Sequence, residues 1–227
     1  MSLAPSELET APAKMGRVES LLALQQWLSP GFPTGSFAYS QGLETRMNSR
    51  EVADIAAVRD WVTSVLRYGS AKADAVLLCA AFKGQDPLDE LIDLARALAP
   101  TAERAREMEE LGHALTRNTN AILGVTDAPA PYAIALGRAA RALDVEAALL
   151  AQMFLHAQAA SLISAAVRFV PLGQTEGQQL LAELAPMLAT LGLEAADSPL
   201  EAIGSFTLGA DLASALHETL DVRIFRT

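Results

Sequence analysis

The chain has 227 residues, enough for one large domain with a sizeable core. Its 51% apolar and 19% charged content excludes a disordered chain, and a net charge of −10, from 17 basic against 27 acidic residues, repels a phosphate backbone and so disfavours nucleic acid as a partner. Cys79 is the sole cysteine, which excludes an internal disulfide and any cysteine-rich metal cage, and Lys14, Lys72 and Lys83 are the only lysines, so arginine carries nearly all positive contacts.

In chain order, residues 1–14 show neither a basic start nor an apolar run, so they read as a disordered tail rather than a signal peptide, and the expected localisation is cytoplasmic. Helical periodicity then dominates. Ile55, Val58, Val62, Val65 and Leu66 make one stripe, and Leu88, Leu91, Ile92, Ala95 and Leu98 make another. Helices are predicted near 16–28, 37–47, 50–69, 71–83, 87–98, 101–123, 131–142, 145–170, 176–191 and 199–220. The spacings Asn48/Glu51, Thr175/Gln178 and Ser198/Glu201 suit capping boxes, and Pro87 and Pro199 suit first turns. No segment alternates long enough for a strand, and aromatics are only 5%. The expected fold is all-α: a bundle of about ten helices forming a single domain over 15–227, with a docking tail at 221–227.

The most apolar segment, 145–170, is interrupted by Gln152, His156, Gln158, Ser161, Ser164 and Arg168, so a buried helix is expected there and no membrane span. Cys79 lies in an apolar run and is expected to be a buried, inert thiol. Three loops, at 29–36, 126–131 and 171–175, break the helical pattern.

Standard catalytic motifs are missing: there is no G-x-G-x-x-G, no G-x-x-x-x-G-K-[ST] and no G-x-S-x-G. His217-Glu218 begins like H-E-x-x-H, but Asp221 stands where a second imidazole is needed. A small metal-dependent enzyme using His217, Glu218 and Asp221 is therefore the rival reading. His113 and His156 sit in helical stretches and read as ordinary core or surface histidines.

Two stretches carry more backbone specialists than simple connectors need. In the first, Pro30 and Pro33 stiffen the approach, Gly31 and Gly35 permit unusual dihedrals, and Ser36 can cap a helix starting near Phe37. Gly42 would weaken that helix from within unless another backbone packs against it, and Gln41 and Glu44 would share one of its faces. The alternative is a plain capped start with Glu44 solvated. The second stretch, 168–178, reads as a helix end, a Pro/Gly turn and a new helix start. The ending, Val222-Arg-Ile-Phe-Arg-Thr227, alternates basic and apolar residues; an exposed Ile–Phe pair flanked by arginines suits docking, and a terminus folded back on its own domain is the alternative.

These segments resemble the signature of the urease accessory protein UreF family. Leu28 to Glu44 is similar to the family's L-x-x-x-x-P-x-G-x-[FY]-x-x-S-x-G-L-E, which takes in Pro33, Gly35, Ser36, Phe37, Ser40, Gly42, Leu43 and Glu44. Ser164 to Gln178 resembles its A-x-x-R/K-x-V-P-L-G-Q-x-x-G-Q, matched here by Pro171, Leu172, Gly173, Gln174, Gly177 and Gln178. Asp211, Ser214, His217-Glu218 and Arg223-Ile-Phe-Arg-Thr227 resemble its H-E/Q-x-x-x-S-R-L-F-R-S close, with Val222 and Thr227 as departures. The resemblance implies a non-catalytic, all-α dimer without a cofactor or metal of its own. Such a protein binds UreD (also called UreH), recruits the nickel-carrying GTPase UreG and acts on apo-urease. It further implies partner contacts at Phe37 and Arg223, with Ile224, Phe225 and Arg226 beside them, and a gating role for Glu44, next to Gln41. Phe37 lacks the hydroxyl of the Tyr found in some relatives.

Overall fold

The computed structural model describes residues 15–227, so the expected tail at 1–14 lies outside the described residues. Among the described residues ten α-helices follow in order: α1 (Arg17–Leu28), α2 (Leu43–Asn48), α3 (Ile55–Tyr68), α4 (Ser70–Lys83), α5 (Leu88–Ala97), α6 (Ala102–Leu123), α7 (Tyr132–Ala139), α8 (Ala147–Phe169), α9 (Gln174–Asp197) and α10 (Leu208–His217). Short 3-10 turns cover Ser36–Ala38, Ala140–Ala142 and Leu200–Ala202, and no strand occurs among the described residues. The class is all-α, as the periodicity predicts.

Two helices form the centre. On α4 nearly every residue from Ala71 to Ala81 is buried, and its many alanines let α3, α5, α7, α8 and α9 approach it closely. α8 buries Leu150, Phe154, Leu155, Leu162 and Ile163 and contacts α1, α2, α3, α4 and α9. By length and composition α8 could cross a membrane, but 50% of its most apolar window is buried inside the fold, as in a core helix. The α8–α9 pair packs tightly at Gly177, where an added Cβ would lie 2.9 Å from a Val167 methyl. Cys79 is buried in this centre and faces the Ala147 carbonyl at 3.6 Å.

Several element ends differ from expectation, each for a local reason. α3 starts at Ile55 rather than 50, because Asp54 rather than Asn48 caps it and accepts from the Ala57 amide at 2.9 Å. α9 starts at Gln174 through a bond from the Gly173 amide to Glu176 at 2.8 Å, not through Thr175. It then runs through Pro186 to Asp197, because neighbours hold it and one missing amide does not end a packed helix. The helix expected over 199–220 is broken: Ser198/Glu201 makes no box, a 3-10 turn and an extended stretch intervene, and α10 spans only ten residues.

The helix expected over 37–47 is also broken. Ser36 begins a single 3-10 turn with no side-chain cap, and α2 starts only at Leu43. Gly42 is therefore a helix N-cap with φ of 79° rather than a mid-helix residue. The close approach expected at this glycine is present: an added Cβ would sit 2.6 Å from the Ser214 backbone nitrogen on α10. Gln41 also has positive φ (54°), so it lies off the helix and shares no helical face with Glu44.

Candidate functional site

The final residues fold back along a cleft made by the 36–44 segment, α6 and the C-terminal end of α8. Their backbone is held at three points. The Arg226 amide donates to the Ala38 carbonyl at 2.8 Å. The Thr227 carbonyl accepts from the Ser40 amide at 2.9 Å and from the Ser40 hydroxyl at 2.5 Å. The amides of Ile224 and Phe225 donate to the two carboxylate oxygens of Glu44, at 2.8 and 2.9 Å.

Glu44 is thus not solvated; it is 1% exposed and caps the returning chain. It reaches that position because Gly42 turns the backbone into α2, which lays Leu43 and Glu44 against α8 and α10. Behind it lies His217, fully buried, with Nε2 3.0 Å from Glu44 and Nδ1 2.7 Å from Glu103. Glu103 also accepts from Arg223 at 2.6 Å. Each buried charge in this row therefore has a partner, as burial requires.

A second row lies alongside. Glu107 accepts from Thr227 Oγ1 (3.2 Å), Gln41 Nε2 (3.4 Å) and Arg104 (2.8 Å), while Arg104 also pairs with Asp74. Burial opposes the Arg104 charge, but Glu107 and Asp74 outweigh it and hold its pKa above the ordinary arginine value. At the rim, Arg226 and the Tyr39 hydroxyl both donate to Glu110, at 2.8 and 2.7 Å. Burial, and then the bond to Glu110, push the Tyr39 hydroxyl up.

Alternate residues of the tail part company, so the exposed Ile–Phe pair expected from the alternation does not form. Phe225 is 4% exposed, its ring 5.8 Å from that of Phe169 and under the Arg168 guanidinium at 4.7 Å. Ile224 is 71% exposed, and Val222, Arg223 and Arg226 also face outward. Phe37, 62% exposed, stands on its 3-10 turn with its carbonyl accepting from Arg168 at 3.1 Å. Arg168 therefore ties the first motif block to the tail, and it belongs to the second block.

The remaining predicted residues take supporting places. Leu43 and Ser40 are fully buried, Pro33 is exposed with its carbonyl near Asn118, and Gly35 takes φ of 81° to open the 3-10 turn. Pro171, Gly173, Gln174 and Gln178 are exposed at the α8–α9 corner, Leu172 is half-buried and Gly177 is buried. These corner residues shape the turn and do not reach the tail row. Sequence reasoning missed Glu103, Glu107, Glu110, Arg104 and Tyr39. The signal was weak: on α6, Glu103, Glu107 and Glu110 fall at three- and four-residue spacing, one face of a helix, but solvated faces show the same pattern.

The rival metal centre is not assembled. Both His217 nitrogens face carboxylates from other elements, Glu218 accepts from the Glu103 amide at 3.1 Å, and Asp221 is exposed. Among the described residues no group of three His, Cys, Asp or Glu side chains is placed to hold a metal ion. His113 and His156 are exposed on α6 and α8.

Next to this tail site runs a half-open groove of about 650 Å³ along α8, lined among others by Leu28, Phe37, Tyr132, Met153, His156 and Leu188.

Comparison with known proteins identifies the family. The UreF family model matches residues 52–185. A Cereibacter sphaeroides protein described as urease accessory protein UreF is 53% identical over 208 residues, covering 92% of this chain and 99% of the relative. Proteins of the same description from Jannaschia sp. and Paracoccus denitrificans are 44% and 45% identical, covering 93% and 91% of this chain and 96% and 95% of their own lengths. The chain therefore belongs to the UreF family of urease accessory proteins.

Proposed function

We propose that residues 15–227 act as one adaptor unit, a cytoplasmic homodimer that binds UreD/UreH, recruits the GTPase UreG and assists nickel insertion into apo-urease. In this reading the protein supplies surfaces and the GTPase supplies hydrolysis, consistent with a sequence that lacks a phosphate-cradling loop. The observation that carries it is the split tail. Ser40, Glu44 and Arg168 fix its backbone and Phe225, leaving Val222, Arg223, Ile224 and Arg226 displayed beside Phe37. An ordered display of apolar and arginine side chains binds with little ordering cost, and such residues dominate interface energetics. Glu44 serves this display from beneath, and a gating role for it and Gln41 would act through the tail they hold.

The test uses single exposed positions, because removing the whole tail also uncovers the buried Phe225 cleft. Ile224→Asp is expected to melt like the parent chain and Arg223→Ala slightly below it, because Glu103 loses that partner, and both are expected to lose the three-protein complex with UreD and UreG on size-exclusion chromatography. Complexes of unchanged yield with both variants would refute the assignment.

A further inference from the structure

We propose that His217 is the positioning residue that couples the two anchors of the tail. Among the described residues its ring is the one side chain hydrogen-bonded to both Glu44, which holds the Ile224 and Phe225 amides, and Glu103, which holds the Arg223 guanidinium.

The geometry makes the coupling specific. The ring is fully buried, and its two nitrogens point in opposite directions at carboxylate oxygens 3.0 and 2.7 Å away. A neutral ring donates from one nitrogen only, so contacts on both sides are served by a doubly protonated ring or by a proton on one carboxyl group. Either way, the ring keeps two carboxylates apart and oriented. Without it, Glu44 and Glu103 face each other across a cavity, and a carboxylate that turns to find another donor abandons the tail. The charged and titratable groups around this row are Arg223 on the tail, Arg104 and Glu107 on α6, and Glu218 just after α10. Arg104 is taken up by Glu107 and Asp74. The hydrogen bonds of the His217 ring run to Glu44 and Glu103 and not to the exposed tail residues, so its effect on partners is indirect and rests on the adaptor reading above. The coupling within the chain does not.

The experiment is residue-resolved amide exchange on the full chain. In His217→Gln, a carboxamide cannot donate in two opposite directions, so exchange at Ile224 and Phe225 accelerates about tenfold or more, while the α4 and α8 core amides of Leu78 and Leu155 keep their rates. Glu103→Gln touches neither tail amide, and it too accelerates both; this variant decides the matter if His217→Gln does not fold. Arg223→Ala leaves the ring between its two carboxylates and accelerates the tail amides less than His217→Gln does. Unchanged tail amides in His217→Gln, acceleration shared equally by α4 and α8, or an Arg223→Ala effect as large as that of His217→Gln would each overturn the coupling. Accelerated tail amides with undiminished complex formation would leave the coupling intact and refute the docking role of the tail.

Discussion

Replacing Glu44 by alanine should release the last five residues without unfolding the rest. The carboxylate serves three donors, the Ile224 and Phe225 amides and the His217 ring, at 2.8, 2.9 and 3.0 Å. Left buried and unserved, each costs about 1–3 kcal/mol; only the two amides regain water when the tail leaves, so keeping the tail in place costs roughly 2–6 kcal/mol relative to releasing it. Letting the tail go forfeits about 1.5–3 kcal/mol for Phe225 burial. It also gives up the three bonds that tie Thr227 and Arg226 to Ser40 and Ala38 and the bonds of Arg223 and Thr227 to Glu103 and Glu107, about 1 kcal/mol each. Against this, freeing residues 223–227 returns about 1–2 kcal/mol of backbone entropy per residue. Release wins. Trypsin should then cut after Arg223 and Arg226 about tenfold faster or more, while urea unfolding of the remainder loses less than about 3 kcal/mol. Parental cleavage rates combined with a larger stability loss would show that Glu44 supports the core and not the tail, and the reasoning would fail.

Gly42→Ala places a non-glycine residue at φ of 79° and drives its Cβ to 2.6 Å from the Ser214 nitrogen, so it should cost about 1–3 kcal/mol in urea unfolding and loosen α10 from α2. Phe154→Ala empties the centre of α8 and should cost about 3–5 kcal/mol, whereas Leu193→Ala, at an exposed position on α9, should stay within about 0.5 kcal/mol. Burial pushes the Cys79 thiol from 9.0 up to about 11, so the native protein should resist alkylation near pH 8.5 and react only once unfolded. The sign follows from the same shift: the folded state prefers the neutral thiol, so this stability is present below pH 9 and declines as pH rises from 9 towards 11, which urea midpoints across that range would measure.

Much of this protein is decided by local pattern. The stripe from Ile55 to Leu66 specifies α3 and buries Val58, Val62, Val65 and Leu66, with Ile55 half-buried at its start, because a 3.6-residue period puts them on one side whatever lies opposite. Residues from all three motif blocks, Ser40, Glu44, Arg168, His217 and Arg223, do meet at one place. Their types were legible in the chain; their contacts were not. His217 meets Glu103 and Glu44 across 114 and 173 residues, separations over which no local spacing rule applies. Alternation in the tail marks two faces but cannot say which is inside. That was settled by Phe169 and Arg168, which offer a ring and a cation to Phe225 and nothing to Ile224. Gly42 shows the same division. Its presence announced a close backbone approach, but whether it interrupts a helix or begins one depended on α10 arriving against it, and only packing brings α10 there.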